Sequence, residues 1–119
     1  MFFNISNHPT TKWSAEQANA AMALGGELRD IQFPNVPTLA TTAAVSALAD
    51  MLAAQVGDND VAMVQGEFTL VYATLARLRA RGIRVVAACT ERKVQEVAKS
   101  DGTVEKTAIF AFATFRDYE

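Results

Sequence analysis

The strongest constraint on this chain is a repeated alternation. Three times over, a short β-prone apolar run gives way to an Ala- and Leu-rich stretch with helical spacing, and glycine or a polar cluster marks each change. The first run, Phe2-Phe3-Asn4-Ile5-Ser6, ends in the turn-forming Asn7-His8-Pro9. Ser14 stands three residues before Gln17, the spacing of a capping box, so a helix is predicted over Ala15 to Leu24, closed by Gly25-Gly26. Glu27 to Phe33 reads as a second strand, broken by Pro34 and Pro37. Thr41 or Thr42 opens a helix to about Val56, and Gly57-Asp58-Asn59 ends it. Asp60 to Gln65 is a third strand, apolar enough to be buried on both faces. Gly66 makes the turn into a helix from Glu67 to Arg81, with Phe68, Val71, Leu75 and Leu78 at spacings of three and four. Gly82 caps it, and Ile83 to Cys89 is a fourth buried strand.

After Thr90 the pattern changes. Arg92 to Ala98 alternates, Asp101-Gly102 is a strong hairpin signal, and Val104 to Phe115 is a long strand. The tail is therefore expected to be an antiparallel hairpin at the sheet edge. Strict alternation would put Ile109, Ala111, Ala113 and Phe115 on one face, with Phe110 and Phe112 on the other. An edge strand apolar on both sides is an aggregation hazard unless a helix of the chain or a second copy covers it.

The element order predicts an α/β fold: a mostly parallel sheet with helices on both faces. Right-handed crossovers leave strand order 2-1-3-4 as the simplest solution. In such sheets ligands bind beyond the carboxyl ends of the strands, where the order reverses. Three segments should therefore converge there: Ser6 to Pro9, Gln65 to Thr69, and Cys89 to Arg92.

Composition narrows the function. The length fits a single domain spanning 1–119. The 11 Lys+Arg against 13 Asp+Glu, net charge −2, argue against duplex nucleic acid as a partner. No apolar run approaches the roughly 20 residues of a membrane span. Met1 to Ile5 lacks the features of a signal peptide, and the single Cys89 forms no internal disulfide, so a cytoplasmic location is expected. GxGxxG and GxxxxGK[ST] are both absent, which argues against a dinucleotide site and a P-loop. One His and one Cys do not make a zinc site, and neither a metal nor a cofactor is expected.

Three signals remain. His8, the only histidine, is an acid/base or phosphate contact in one reading and a turn residue bonding local backbone in the other. Gln65-Gly66-Glu67-Phe68-Thr69 puts glycine and free N–H groups at a helix start, which suits an anion; Glu67 would repel it unless it points away or bonds a sugar hydroxyl. The other reading is a tight turn with an acidic first helical residue. In Thr90-Glu91-Arg92-Lys93, Arg92 offers a bidentate phosphate clamp and Thr90 a donor, against a solvated charge run. Lys12 adds a cation, and Trp13 a stacking face or a staple for its helix. Cys89 reads as a small core residue. Together these groups suit a phosphate-bearing ligand with sugar hydroxyls.

Through Asn4-Ile5-Ser6-Asn7-His8-Pro9, Val64-Gln65-Gly66-Glu67 and Ala88-Cys89-Thr90-Glu91-Arg92 with its hairpin, the chain resembles small CRISPR-associated proteins with the Rossmann-like core of CARF domains, several of which are ring nucleases. The resemblance implies a three-layer, CARF-like fold and a homodimer that binds cyclic oligoadenylate, cyclic tetra-adenylate first, across its two-fold axis. It implies metal-independent cleavage, a ribose 2′-OH attacking the adjacent phosphorus to leave a 2′,3′-cyclic phosphate. Carried onto this chain, His8 is the acid/base, Arg92 the charge stabiliser and the Gly66 region the phosphate and ribose cradle, with Glu67 or Glu91 as a possible base instead. Ser6, Asn7, Lys12, Gln65, Phe68, Thr69 and Thr90 complete the ligand-binding set. The alternative is a sensor or sponge that binds the same nucleotide without cutting it.

Overall fold

The computed structural model describes residues 1–119. In chain order the elements are β1 (Phe2–Ser6), a single 3-10 turn (Thr10–Lys12), α1 (Ala15–Gly25), β2 (Leu28–Gln32), α2 (Thr42–Ala53), β3 (Val61–Val64), α3 (Phe68–Ala80), β4 (Arg84–Ala98) and β5 (Val104–Asp117). They form one α/β unit around a mixed five-stranded sheet of order β2-β1-β3-β4-β5. The β1–β2, β1–β3 and β3–β4 pairings are parallel and β4–β5 is antiparallel. The predicted order 2-1-3-4 is thus present, with the hairpin strand added at the edge.

The helices begin where the capping chemistry places them. The Ser14 side chain accepts from the Gln17 amide, and Thr41 Oγ1 from the Ala44 amide. Gly26 closes α1 with φ of 84°, a conformation that L side chains rarely adopt. Strand alternation then sorts the core into two clusters. Ile5, Ala62, Val64 and Val85 face α2 and α3 and pack with Leu52, Leu70 and Leu78. Phe2, Val61, Met63 and Val86 face the other way, with Trp13 and Ala21. Every residue of β3 is buried, as its apolar run predicts.

Two expectations about the tail need correction. First, β4 does not stop at Cys89; it runs unbroken to Ala98. β5 stays hydrogen-bonded alongside it, so beyond Thr90 the two strands leave the sheet as a two-stranded ribbon, exposed throughout from Thr90 to Phe110. This arm gives the molecule a radius of gyration of 17.4 Å and a longest dimension of 58 Å, where a compact chain of this length has roughly 13–14 Å. Second, the two faces of β5 are not those of strict alternation. Ala88 pairs with Phe115 and Cys89 with Thr114, but Thr90 pairs with Phe112, so Ala113 is a bulge residue with no partner. One extra residue shifts the phase of everything beyond it. Phe110, Phe112 and Phe115 therefore share one face, and the rings of Phe112 and Phe115 lie 4.9 Å apart.

Candidate functional site

The carboxyl ends of β1 and β3, the start of α1 and the root of the arm enclose an open cavity of about 720 Å³. That lies within the roughly 300–1,000 Å³ usual for small-molecule sites. His8 and Lys12 enter it from the loop after β1, Gln65 from the end of β3, and Thr90 from β4. Ser14, Ala15, Glu16 and Gln17 bring the first turn of α1 to the same wall, and Ala88, Phe110, Ala111 and Phe112 form the side contributed by the β4–β5 pair. The three segments expected to meet do meet, each through at least one side chain.

The loop after β1 is shaped by buried polar groups. Asn4 Nδ2 donates to the His8 carbonyl at 2.8 Å and to Asp30 Oδ1 at 2.9 Å. Ser6 Oγ lies 2.6 Å from Asn4 Oδ1 and accepts the His8 amide at 3.1 Å. Trp13 Nε1 donates to the same His8 carbonyl at 3.1 Å. Trp13 is also the staple: its ring lies 6.1 Å from Phe2 and 6.3 Å from Phe115. The His8 peptide is thus held by local bonds, and its exposed imidazole lines the cavity.

The other candidates lie elsewhere. Ser6 and Asn7 line a second, wholly polar cavity of about 400 Å³ with Asn4, Pro9, Asp30 and Gln32. Phe68 and Thr69 line a third, of about 460 Å³, between α2 and α3. Gly66 follows Gln65 but does not line the main cavity; a Cβ there would meet the Phe33 ring at 2.5 Å, so close packing against that ring is what requires glycine. Glu67 is the N-cap of α3. Its carboxylate accepts from Thr69 Oγ1 at 2.6 Å, Thr69 N at 3.0 Å and Leu70 N at 2.9 Å. The Thr69 hydroxyl and then these amides hold its carboxyl below the usual glutamate value. Arg92 sits on the arm opposite Phe110, one step outward from the Thr90–Phe112 pair and on their face; Glu91, between them, is on the other face.

Sequence reasoning missed the α1 turn and the two phenylalanines. Ser14 carried a usable signal, because a helix capped directly after the β1 loop must start beside the switch point. Phe110 and Phe112 carried none, because the bulge at Ala113 sets their direction. The cavity therefore combines one imidazole, one ammonium, two carboxamides, two hydroxyls, the amino end of an 11-residue helix and two aromatic rings. Glu16 is its only carboxylate. No curated protein and no solved structure matches the chain. The model of one family does, that described as the Uncharacterized protein MJ1673 family, over residues 1–116. The match spans nearly the whole length, and the chain belongs to that family.

Proposed function

We propose that this cavity binds a cyclic oligoadenylate, cyclic tetra-adenylate first, and cleaves it without a metal, on a core of the Rossmann-like, CARF type. The observation that carries the reading is the convergence of His8, Lys12, Gln65 and Thr90 with Phe110 and Phe112 around one opening. Stacking on an aromatic face is available to every base, and Phe110 is 72% exposed at the cavity edge. The ammonium of Lys12 and the free N–H groups of the first α1 turn suit the phosphate. Gln17 and Gln65 have the donors and acceptors to bond adenine edges and ribose hydroxyls.

For cleavage, His8 removes the proton of a ribose 2′-OH. The new O2′–P bond forms as the P–O5′ bond breaks in line, and the 5′-oxygen leaves with a proton returned by the imidazolium. The products are a 2′,3′-cyclic phosphate and a 5′-hydroxyl. Lys12 stabilises the charge growing on the phosphoryl oxygens, and Arg92 reaches the ligand from the rim. A positioned acid/base is worth about 10²–10⁴ in rate. The test is incubation with cyclic tetra-adenylate in EDTA. Linear products that disappear in His8→Ala support the enzyme. Tight binding with an intact ring makes the protein a sensor or sponge, and no binding to any cyclic oligoadenylate ends the reading.

The same reading includes a homodimer joined through the arms. A two-stranded ribbon is marginal alone in water, yet this one exposes Val94, Val97, Val104, Ile109 and Phe110. Its charges balance, with Arg92, Lys93, Lys99 and Lys106 against Glu91, Glu96, Asp101 and Glu105, which suits an identical arm. A two-fold contact also suits a ligand that is itself symmetric. Sedimentation should give a dimer at micromolar concentration and a monomer for Val94→Glu with Ile109→Glu; a wild-type monomer refutes the contact.

A further inference from the structure

The middle of β1 holds an anomaly. Asn4 is 1% exposed, in a strand whose other residues include the fully buried Phe2 and Ile5. A carboxamide taken from water into such a place is costly unless its hydrogen bonds are remade, and an apolar side chain of that size would avoid the cost. Asn4 makes those bonds, and each leads toward His8. The parallel register sets Asn4 beside Asp30 of β2. One Nδ2 hydrogen goes to Asp30, the other to the His8 carbonyl. The Ser6 hydroxyl has a single hydrogen, best spent on Asn4 Oδ1 at 2.6 Å, and its lone pair takes the His8 amide. Asp30 in turn accepts the Thr10 hydroxyl at 3.0 Å and the Thr10 amide at 3.2 Å, holding the far end of the loop. Trp13, packed against Phe2 and Phe115, supplies the second donor to the His8 carbonyl.

We infer that Asn4, Ser6, Asp30 and Trp13 are positioning residues, a buried polar clamp that fixes the His8 peptide from both sides and so fixes where the imidazole stands in the cavity. The polar cavity lined by Asn4, Ser6, Asn7 and Asp30 is the other side of this clamp. The role in cleavage rests on the proposed function; the clamp itself does not.

The test therefore has two arms. The first reads the clamp without any ligand. His8 is the only histidine, so the ring's Cε1–H and Cδ2–H give one signal each and need no assignment strategy. In the wild type each ring signal is sharp and unsplit by exchange, and the His8 amide has the order parameter of rigid backbone, about 0.85. Ser6→Ala removes one bond to the His8 peptide with little change in shape, and Trp13→Phe removes another together with part of the indole's packing on Phe2 and Phe115. Each should broaden or displace the ring signals and lower the amide order parameter to below about 0.6, with α2 and α3 signals unchanged. A His8 unchanged in both variants overturns the inference; if Ser6→Ala does not fold, Trp13→Phe decides. The second arm reads turnover of cyclic tetra-adenylate. A displacement of 1 Å costs on the order of 10²-fold, so each variant should lose 10- to 100-fold in kcat, and Ser6→Ala should cost nothing further in a His8→Ala background. An additional loss there means Ser6 acts on the ligand directly and overturns the positioning role. If the wild type does not cut the ring, the proposed function fails while the first arm still judges the clamp.

Discussion

Gly66→Ala is the substitution whose outcome the packing predicts most sharply. Gly66 does not have positive φ, so alanine can adopt its backbone conformation. The obstacle is contact. The added Cβ would stand 2.5 Å from Phe33 Cε1 and 2.6 Å from Cδ1 and Cζ. Ordinary carbon contacts are about 3.5 Å, so the ring must retreat by about 1 Å. Phe33 is 4% exposed and packed into the core formed with α2 and α3, which leaves little room for retreat. Overpacking of this kind costs about 1–3 kcal/mol, and the stiffer unfolded chain returns about 0.4–1 kcal/mol. The net loss is on the order of 1–2 kcal/mol. With about 2.1 cal/mol/K of unfolding entropy per residue, that lowers Tm by roughly 4–8 °C. Urea denaturation should show the midpoint falling at constant slope, because the surface exposed on unfolding hardly changes. Phe33→Leu makes space, so the double variant should recover at least about 0.5 kcal/mol relative to the sum of the two single effects. A Gly66→Ala protein as stable as wild type refutes the close approach, and with it the packing reason for a glycine after β3.

Other outcomes follow from the same geometry. Lys12→Ala should weaken cyclic tetra-adenylate binding about tenfold or more at low salt, with the difference shrinking as salt rises, read by titration calorimetry. Leu78→Ala, at a fully buried position on α3, should cost about 2–5 kcal/mol in urea unfolding. Glu67→Gln should erase part of the acid sensitivity of folding. The Glu67 carboxyl is held below its usual value of 4.5, so its stabilisation is complete above that pH and is lost as pH falls through the folded value. The wild-type and variant stabilities should thus converge on acidification; a constant gap from pH 7 to pH 3 would show that the carboxylate charge does no capping.

Much of the fold could be read from local chemistry. Ser14 and Thr41 cap the helices they were expected to cap, and the apolar run of β3 identifies a strand shielded on both sides, whereas in β4 only Val85 and Val86 are buried and Ala87 to Cys89 are partly open. The α2 boundary slipped because Ala54 to Val56 continue an apolar pattern after the helix has ended at Ala53, where Arg81 donates to the Ala53 and Val56 carbonyls. No local pattern marks that capture from another helix. The site was readable in part for the same reason. His8, Lys12, Gln65 and Thr90 follow from strand ends and topology alone. Glu67 looked like a site residue because acidic helix starts and ligand carboxylates share one sequence signal, and only coordinates show that its oxygens face Thr69 and Leu70. Asn4 passed as an ordinary strand residue because its value depends on a neighbour in β2, 26 positions away.

The unpaired Ala113 deserves a genetic experiment of its own. It is the extra residue that lets Phe110 and Phe112, at odd separations from Phe115, share its face. Deleting that one residue would join Phe112 directly to Thr114 and leave the pairs on both sides intact, so Phe110 and Phe112 would keep the face of Phe115 in a now regular ladder. A frame-preserving loss of a single codon would thus take the bulge's local bend out of the arm's root while keeping its aromatic wall and leaving the helical layers alone.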